Sequence, residues 1–208
     1  MHCILRPGKT QLPLIWSILL ILYLLPGFST AQQIFSVSYD VSIPSGTTRE
    51  FISTSSPVGF GLEAQKMLDR HMTFGISFHW NMFSSDQTQW ISDQSNPAAK
   101  VTNRSMDSFP VQVGLHYYLF EDADDFRPYF GVNGGTFFII QRQIVDGLKM
   151  TKKNWHLGVS PDFGFLLKFR YDIYFTVTAR YYYAFKKPGE TAQTYWSVLL
   201  GLASISIF

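Results

Sequence analysis

Cysteine is almost absent from this 208-residue sequence, and the only one, Cys3, lies among its first residues. If that segment is removed, the mature chain has no disulfide, no thiol nucleophile and no cysteine metal site. It also has no cysteine at its new N-terminus to carry a lipid, which argues against a lipoprotein. The stability and chemistry of the protein must therefore come from other residue types.

Charged residues are also scarce, at 15% of the chain, whereas a water-soluble domain typically carries about 25%. Acidic and basic side chains nearly balance, with 15 Asp or Glu against 17 Lys or Arg. Nothing in the charge therefore suggests a nucleic-acid partner. No long apolar run follows residue 25, while aromatic residues reach 17%. This combination favours alternating strands over buried helices.

The first 31 residues have the pattern of a secretory signal peptide. A basic start precedes an apolar core at 12–25, a Pro-Gly pair follows, and small residues at 29–31 offer a cleavage site. The alternative is a transmembrane anchor, but a core of about 14 residues is shorter than the roughly 20 that a helical span requires. We therefore predict cleavage after Ala31 and one mature domain at 32–208.

The stretch 72–82 shows the pattern that recurs along the mature chain. Large apolar residues occupy every even position, and small or polar residues occupy every odd position. Strict period two indicates a strand with one apolar and one polar face, and about ten residues suffice for a tilted strand to cross a bilayer. The apolar set is Met72, Phe74, Ile76, Phe78, Trp80 and Met82.

Eight such segments predict an all-β fold, namely an eight-stranded antiparallel transmembrane β-barrel. The connections after the first, third, fifth and seventh strands are longer than the others. Outer-membrane barrels have short periplasmic turns and longer external loops, so both termini are predicted to be periplasmic. In the last strand Leu199 and Leu200 are both apolar, so either face could meet lipid. The predicted strands are 34–43, 58–66, 72–82, 109–119, 129–142, 155–169, 173–183 and 194–208.

A soluble lipocalin-like barrel is the main alternative, because it also combines eight alternating strands with a signal peptide. In that fold the apolar face lines a ligand cavity and the polar face meets water. The polar face here is mostly Gly, Ser and Thr, which is too sparsely charged for a solvated surface of this size. We therefore predict lipid outside and a polar interior.

A few ionisable residues fall on the polar, inward face and are predicted to form a network in the lumen. A charge inside a narrow barrel must be paired. We favour a closed ion-pair network over a proton- or ion-conducting lumen. A turn centred on Tyr171 also predicts Asp162 and Arg180 as directly opposed neighbours. The predicted network is Asp40, Glu63, His79, His116, Asp162, Lys168 and Arg180.

Two features are predicted on the external side. The polar segment 84–107 is predicted to be a long, mobile loop that could contact an envelope or surface protein. A basic rim on two further loops, at 146–154 and 186–193, could contact anionic lipopolysaccharide or could simply be solvated. The rim lysines are Lys149, Lys152, Lys153, Lys186 and Lys187.

Catalysis finds no support in the sequence. None of the histidines in the mature chain stands at a spacing from serine and an acid that singles it out for hydrolysis. The acidic segment 121–125 lacks the spaced ligands and the glycine of a calcium loop, so a solvated turn is predicted there. We expect a non-enzymatic protein with no cofactor and no metal.

Three features resemble the small outer-membrane β-barrel family related to OmpA and OmpX, especially the stand-alone barrels of Bacteroidetes-type bacteria. They are the eight aromatic-rich strands, the stretch Pro-Tyr-Phe-Gly-Val-Asn-Gly-Gly at 128–135 and the terminal Phe208. The resemblance covers essentially 32–208 and implies a bacterial outer-membrane location. Because that family includes anchors, adhesion proteins, secretion accessories and small pores, we expect a monomeric structural or interaction barrel. A narrow channel for small solutes is the alternative.

Overall fold

The computed structural model describes residues 32–85, 89–93, 96–120, 125–145 and 148–206. Three predictions lie outside these ranges: the signal peptide at 1–31, most of the acidic turn at 121–125, and the terminal Phe208. The described part of the chain contains no helix that is long and apolar enough to cross a membrane.

The chain forms a closed, antiparallel, eight-stranded β-barrel, as predicted. Each barrel strand pairs with the next one along the chain, and the pairing of the first strand with the last closes the ring. Among the described residues, a further strand outside the ring, β4 (Gln89–Asp93), pairs with the beginning of β5. The barrel strands are β1 (Gln33–Ser45), β2 (Val58–Met67), β3 (Met72–Ser85), β5 (Asn96–Tyr118), β6 (Phe126–Val145), β7 (Leu148–Arg170), β8 (Ile173–Ala184) and β9 (Gln193–Ser206).

The two ends of the barrel differ. Gln33 pairs with Ser206 at one end, which we call the terminal end, and the opposite end we call the rim. A short helix, α1 (Gly46–Phe51), follows β1 at the rim, where a loop was predicted. It is tied to the last strand by Thr48, whose hydroxyl accepts a hydrogen bond from the Thr194 backbone N–H at 2.8 Å. The residue after α1, Ile52, is buried in the barrel end.

The pleat of each strand separates a polar interior from an apolar exterior. On the outside Phe163 and Ile76 are about three-fifths exposed, at 61% and 60%, whereas inward residues such as Arg180 and Tyr182 are fully buried. Such an exterior is stable against lipid rather than water. The distribution confirms the predicted faces and excludes the lipocalin-like arrangement, in which the apolar face points inward.

Aromatic side chains form a belt on the outside near the rim. Trp80 and Phe109 stack at 6.5 Å, Phe109 and Phe138 are 6.2 Å apart, and Phe138 and Trp155 are 4.8 Å apart, all between ring centroids. A further pair near the terminal end includes Tyr117 on β5. Phe109 and Tyr117 are roughly 26 Å apart along that strand, which is compatible with the roughly 25 Å apolar band of a membrane barrel.

The prediction of loops at 84–107 and 146–154 is wrong for most of these residues. Residues 96–107 extend β5, residues 89–93 form β4, and residues 148–154 extend β7. The outer ends of β5, β6 and β7 pair with one another, so their backbone groups are satisfied by the sheet. The polar residues of these segments indicate that the strands continue beyond the lipid, and they do not indicate loops.

The ambiguous last strand is resolved by its neighbours. Leu199 is 3% exposed and faces the lumen, whereas Leu200 is 48% exposed on the outside. Since β9 pairs with both β1 and β8, its register is set on two sides at once. A one-residue shift would move every side chain of β9 to the other face, so the fixed register decides between two apolar candidates.

Candidate functional site in the lumen and at the rim

Arg180 on β8 is the centre of a buried charge network in the lumen. Its Nε donates to Asp162 Oδ2 at 2.8 Å, and its Nη2 lies 2.6 Å from the same oxygen. The same Nη2 lies 2.8 Å from Glu63 Oε1, which comes from the far side of the barrel. The strand register opposes Asp162 and Arg180 directly, which confirms the predicted pair.

His79 connects this arginine to a third carboxylate. Its Nδ1 lies 2.7 Å from Asp40 Oδ2, and its Nε2 lies 2.8 Å from Arg180 Nη1 and 3.1 Å from Glu63 Oε1. Since an arginine can only donate, His79 Nε2 accepts that bond and Nδ1 donates to Asp40. Each acid of the network therefore has a donor within reach, as buried charges require.

Asp162 is shared with a second histidine. Its Oδ2 accepts from Asn133 Nδ2 at 2.8 Å and lies 3.3 Å from His116 Nε2. The glycine opposite, Gly131, leaves the space for this contact, because a Cβ there would come 2.6 Å from Asp162 Oδ1. The side chains of Asp162 and His116 can therefore pack directly against the backbone of Gly131, which has no side chain of its own.

Three neutral residues of the network were missed by the sequence analysis. Ser38 donates to Asp40 Oδ1 at 2.6 Å, Gln65 donates to Glu63 Oε2 at 3.2 Å, and Asn133 contacts Asp162 as above. All three occupy inward positions of their strands, so the alternation pattern contained the signal. Because their side chains are neutral, a rule that looks for ionisable residues on the polar face does not include them.

Lys168 was predicted in the network, but it lies apart from it. The residue is half-buried near the terminal end of β7, opposite Tyr174. Along the strand it lies roughly 20 Å from Asp162. Its inward parity was predicted correctly, but it stands near a strand end that water reaches, so it needs no buried partner.

Two apolar clusters close the lumen above and below the network. The cluster nearer the rim contains Ile52, Phe83, Met106, Phe137, Ile139, Tyr182, Ala184 and Tyr195. The cluster nearer the terminal end contains Ile34, Tyr118, Tyr129, Leu166, Tyr174, Ala203 and Ile205. Between the network and the second cluster lies a cavity of about 20 Å³, lined partly by Glu63 and Gln65. A water molecule needs roughly 10–15 Å³ of such space, so the cavity has room for about one.

The five predicted rim lysines do not share one face. Lys149 and Lys153 have the parity of Trp155, which points outward, whereas Lys152 points inward and lines a cavity at the rim. Lys186 and Lys187 lie in the connection at 185–192, and Lys187 Nζ donates to the Trp155 carbonyl at 3.4 Å. All five are exposed. Of the two outward lysines of β7, Lys153 stands two residues beyond Trp155, whereas Lys149 lies near the outer end of the strand.

A further ion pair belongs to the same outer surface. Arg142 and Asp107 are paired on β6 and β5, and Trp80 Nε1 donates to Asp107 Oδ1 at 3.4 Å. The sequence does not predict this pair, because a loop at 84–107 would give Asp107 no strand register with β6. Across the described ranges, no three His, Cys, Asp or Glu side chains are arranged to hold a metal ion.

The turn between β2 and β3, at the terminal end, is organised by Asp69. Its Oδ1 accepts hydrogen bonds from the backbone N–H groups of His71 at 2.8 Å and Met72 at 2.7 Å. These two bonds stabilise the charged form and hold the pKa of the Asp69 carboxyl below its usual range.

No protein-family model matches this sequence, and no curated protein matches it. Solved structures do match. Ail, the attachment invasion locus protein of Yersinia pestis, is 9% identical with a TM-score of 0.55, over 85% of this chain and 99% of Ail. OprG from Pseudomonas aeruginosa is 13% identical with a TM-score of 0.53, over 88% of this chain and 99% of OprG. This chain has the fold of a small outer-membrane barrel.

Neisserial surface protein A is a third small outer-membrane barrel of similar structure. It is 13% identical, with a TM-score of 0.50, over 86% of this chain and 96% of its own. At such identities the likeness concerns the fold, and it agrees with the eight strands and the apolar exterior. One of the Ail structures contains the heparin analogue sucrose octasulfate.

Proposed function

We propose that this protein is a non-enzymatic interaction barrel of the bacterial outer membrane, closed inside, which binds partners at its rim. The observation that carries the proposal is the filled lumen. Apolar side chains close it at two levels, and between them Arg180 holds two carboxylates at hydrogen-bonding distance. Because the interior is filled by the protein's own side chains, partners would bind at the outer surface and the rim.

The filled lumen also weighs against the alternative, a narrow solute channel. A passing ion would have to displace Tyr182 and Tyr195, which stack at 4.7 Å above the network. It would then have to break the contacts of Arg180 and cross the second cluster, where the cavity holds about one water. No continuous polar path through the described barrel supports conduction.

The proposed orientation puts the rim outside the cell and both termini in the periplasm. Its support is the asymmetry of the connections. The terminal end has short connections such as 68–71 and 171–172, whereas the rim has α1, the long outer ends of β5 to β7, and the connection at 185–192. Outer-membrane barrels have their short turns on the periplasmic side.

The proposed partners are anionic. Lys153 and Lys187 stand next to Trp155 and its aromatic belt, which is the level of lipid headgroups, so they are suited to bind lipopolysaccharide phosphates. Lys149 lies further out on the same face of β7, where it would meet the sugars of the same molecules. The presence of a heparin analogue in one Ail structure supports a sulfated polysaccharide as a further partner to test. An envelope or surface protein, which would contact β4 and the outer part of β5, is the third proposed partner.

Conductance tests the closed lumen. The purified mature barrel, inserted into planar lipid bilayers, is expected to give no steady, reproducible openings. Regular single-channel steps would contradict the proposal and support the channel.

Binding tests the rim. Proteoliposomes that carry the barrel are expected to adhere to immobilised heparin at moderate salt. Replacing Lys149, Lys153, Lys186 and Lys187 together by Gln should weaken adhesion by about tenfold, since each exposed charge contributes a few tenths of a kcal/mol or more. Lys168→Gln is the matched control, because it removes a lysine from the opposite end of the barrel. An equal loss in both variants would contradict a rim site.

A further inference from the structure

A polar cup lies at the rim, between the inner face of the β6–β7 extension and the connection at 185–192. It has a volume of about 130 Å³. Its floor is Ile139, which belongs to the apolar cluster beneath, so the cup opens away from the lumen. The polar residues around it are Gln141, Lys152, Asn154, His156, Glu190, Thr191 and Gln193.

His156 holds one wall of the cup in place. Its Nδ1 lies 3.0 Å from the Phe185 carbonyl oxygen, which can only accept, so Nδ1 donates. Its Nε2 lies 3.1 Å from Glu190 Oε2, and the imidazole is almost completely buried. These two contacts tie both ends of the 185–192 connection to β7. The cup therefore has a wall that is built before any ligand arrives.

A wider cavity adjoins the cup and shares Gln141 and Lys152 with it. Its volume is about 440 Å³, within the roughly 300–1,000 Å³ of small-molecule sites. It adds Phe51, Gln143, Met150 and Thr151 to the lining. One side of the Phe51 ring is already covered by the Arg104 guanidinium, 5.5 Å from the ring centroid.

The side-chain amides of Gln141 and Gln143, where the cup meets the wider cavity, have only weak hydrogen-bond acceptors among the described residues. In the part of the chain that the structure describes, Gln141 Nε2 donates only to Met106 Sδ at 4.0 Å, and Gln143 Nε2 donates only to Met150 Sδ at 3.7 Å. A thioether is a weak acceptor. Both amides face a cavity, so each can donate to a stronger hydrogen-bond acceptor on a ligand.

We propose that the cup and the adjoining cavity bind one acidic sugar unit, a saccharide ring that carries a single carboxylate or sulfate. Lys152 supplies the one positive charge in the lining that lacks a carboxylate partner among the described residues. Gln141, Gln143 and Asn154 supply paired donors and acceptors for hydroxyl groups. Phe51 supplies an apolar surface for the face of the ring.

The charge of the lining favours this ligand over a phosphate-rich one. Glu190 Oε2 is directed at His156 Nε2, and Lys152 is the one lysine or arginine in the lining, which suits a single acidic group rather than the several phosphates that a cation cluster would bind. The inference rests on the proposed function, because it assumes that the rim faces the surroundings. The sugar could come from a host glycan or from the bacterium's own envelope polysaccharide, and both offer the same chemistry.

Two lysines of β7 provide a sharp test. Lys152 and Lys168 carry the same charge and both have inward parity on the same strand, but only Lys152 lines the cup. The mature barrel, folded in nanodiscs, is titrated with glucuronate and, as a neutral probe, with glucose, while the side-chain amide signals of Gln141 and Gln143 are followed by NMR. Glucuronate should shift both signals. It should bind about tenfold more weakly to Lys152→Gln, which loses a charge-assisted hydrogen bond, and with unchanged affinity to Lys168→Gln.

Several results would overturn this inference. The inference fails if Lys152→Gln and Lys168→Gln lose equal affinity, if glucose and glucuronate bind equally, or if the Gln141 and Gln143 signals do not shift. If heparin adhesion through the outer lysines persists in such a case, the cup fails while the proposed function stands. If adhesion is absent as well, both fail. If the cup does bind glucuronate, two further titrations of the wild type identify the source of the sugar. One uses acidic oligosaccharides from heparin and the other uses those from the bacterium's own envelope, and the source is the one that binds more tightly.

Discussion

Asp162 and Arg180 lie directly opposite each other on β7 and β8, and one carboxylate oxygen lies within 2.8 Å of two guanidinium nitrogens. The same guanidinium reaches Glu63 across the lumen at 2.8 Å. One arginine therefore serves two acids on different sides of the barrel. Its removal affects both acids at once, which makes the network open to a direct test.

Arg180→Met should lower the free energy of unfolding by about 3–5 kcal/mol, because it leaves buried carboxylates without their cation. Urea unfolding of the barrel refolded in lipid vesicles measures the loss. Replacing only Asp162 in addition would still leave Glu63 unpaired. The compensated variant therefore combines Arg180→Met with Asp162→Asn and Glu63→Gln, and it should recover much of the stability. A loss below about 1 kcal/mol in the single variant, the level of an exposed pair, would contradict a buried network.

Gly131→Ala should destabilise the barrel by roughly 1–3 kcal/mol, the usual cost of overpacking. The added Cβ would come 2.6 Å from Asp162 Oδ1 and would also meet the His116 ring. Gly134→Ala is the control on the same strand, because the nearest atom to its Cβ is 3.9 Å away. Unfolding in urea compares the two variants. Equal stability of both would show that the network does not need the space above Gly131.

The orientation of the barrel can be tested by labelling, since the predicted mature chain contains no cysteine. Lys186→Cys introduces an exposed thiol at the rim, and Leu68→Cys introduces one at the terminal end. A membrane-impermeant maleimide added to intact cells should label the first variant and spare the second. The reverse result would place the rim in the periplasm. Lysed cells, in which both thiols should react, are the control.

The two hydrogen bonds that Asp69 accepts in the β2–β3 turn should weaken at low pH, where the carboxylate becomes protonated. Because the folded-state pKa of Asp69 is depressed, its two backbone hydrogen bonds contribute fully above the ordinary pKa of an aspartate. Their contribution is lost as the pH falls through the lower, folded-state value. A carboxyl ¹³C titration of Asp69 should therefore show a midpoint below that of a model peptide. Amide exchange at His71 and Met72 should rise over the same range, and an unshifted midpoint would contradict these bonds.

Most residues of the lumen network could be predicted from the period-two alternation of the strands and from the short turn after β7. Period two assigned Asp40, Glu63, His79, His116, Asp162 and Arg180 to the interior, and all six are buried there. The short turn after β7 set the register that opposes Asp162 and Arg180. Both inferences are local, because a tight turn and a pleat involve only residues near in sequence. The outer parts of β5 and β7 were missed because their strand character comes from pairing with β6 and not from alternation.

The amino-acid sequence by itself determined the strand faces, the eight-stranded architecture and the neighbours across each short turn. Only the tertiary structure decided that Arg180 meets Glu63 and His79, which come from strands that do not pair with β8. It also decided that Lys168 lies apart and that Leu199, not Leu200, faces inward. The physical reason is closure. Contacts across a lumen depend on the stagger and tilt with which all eight strands join, and no single segment of the chain contains that information.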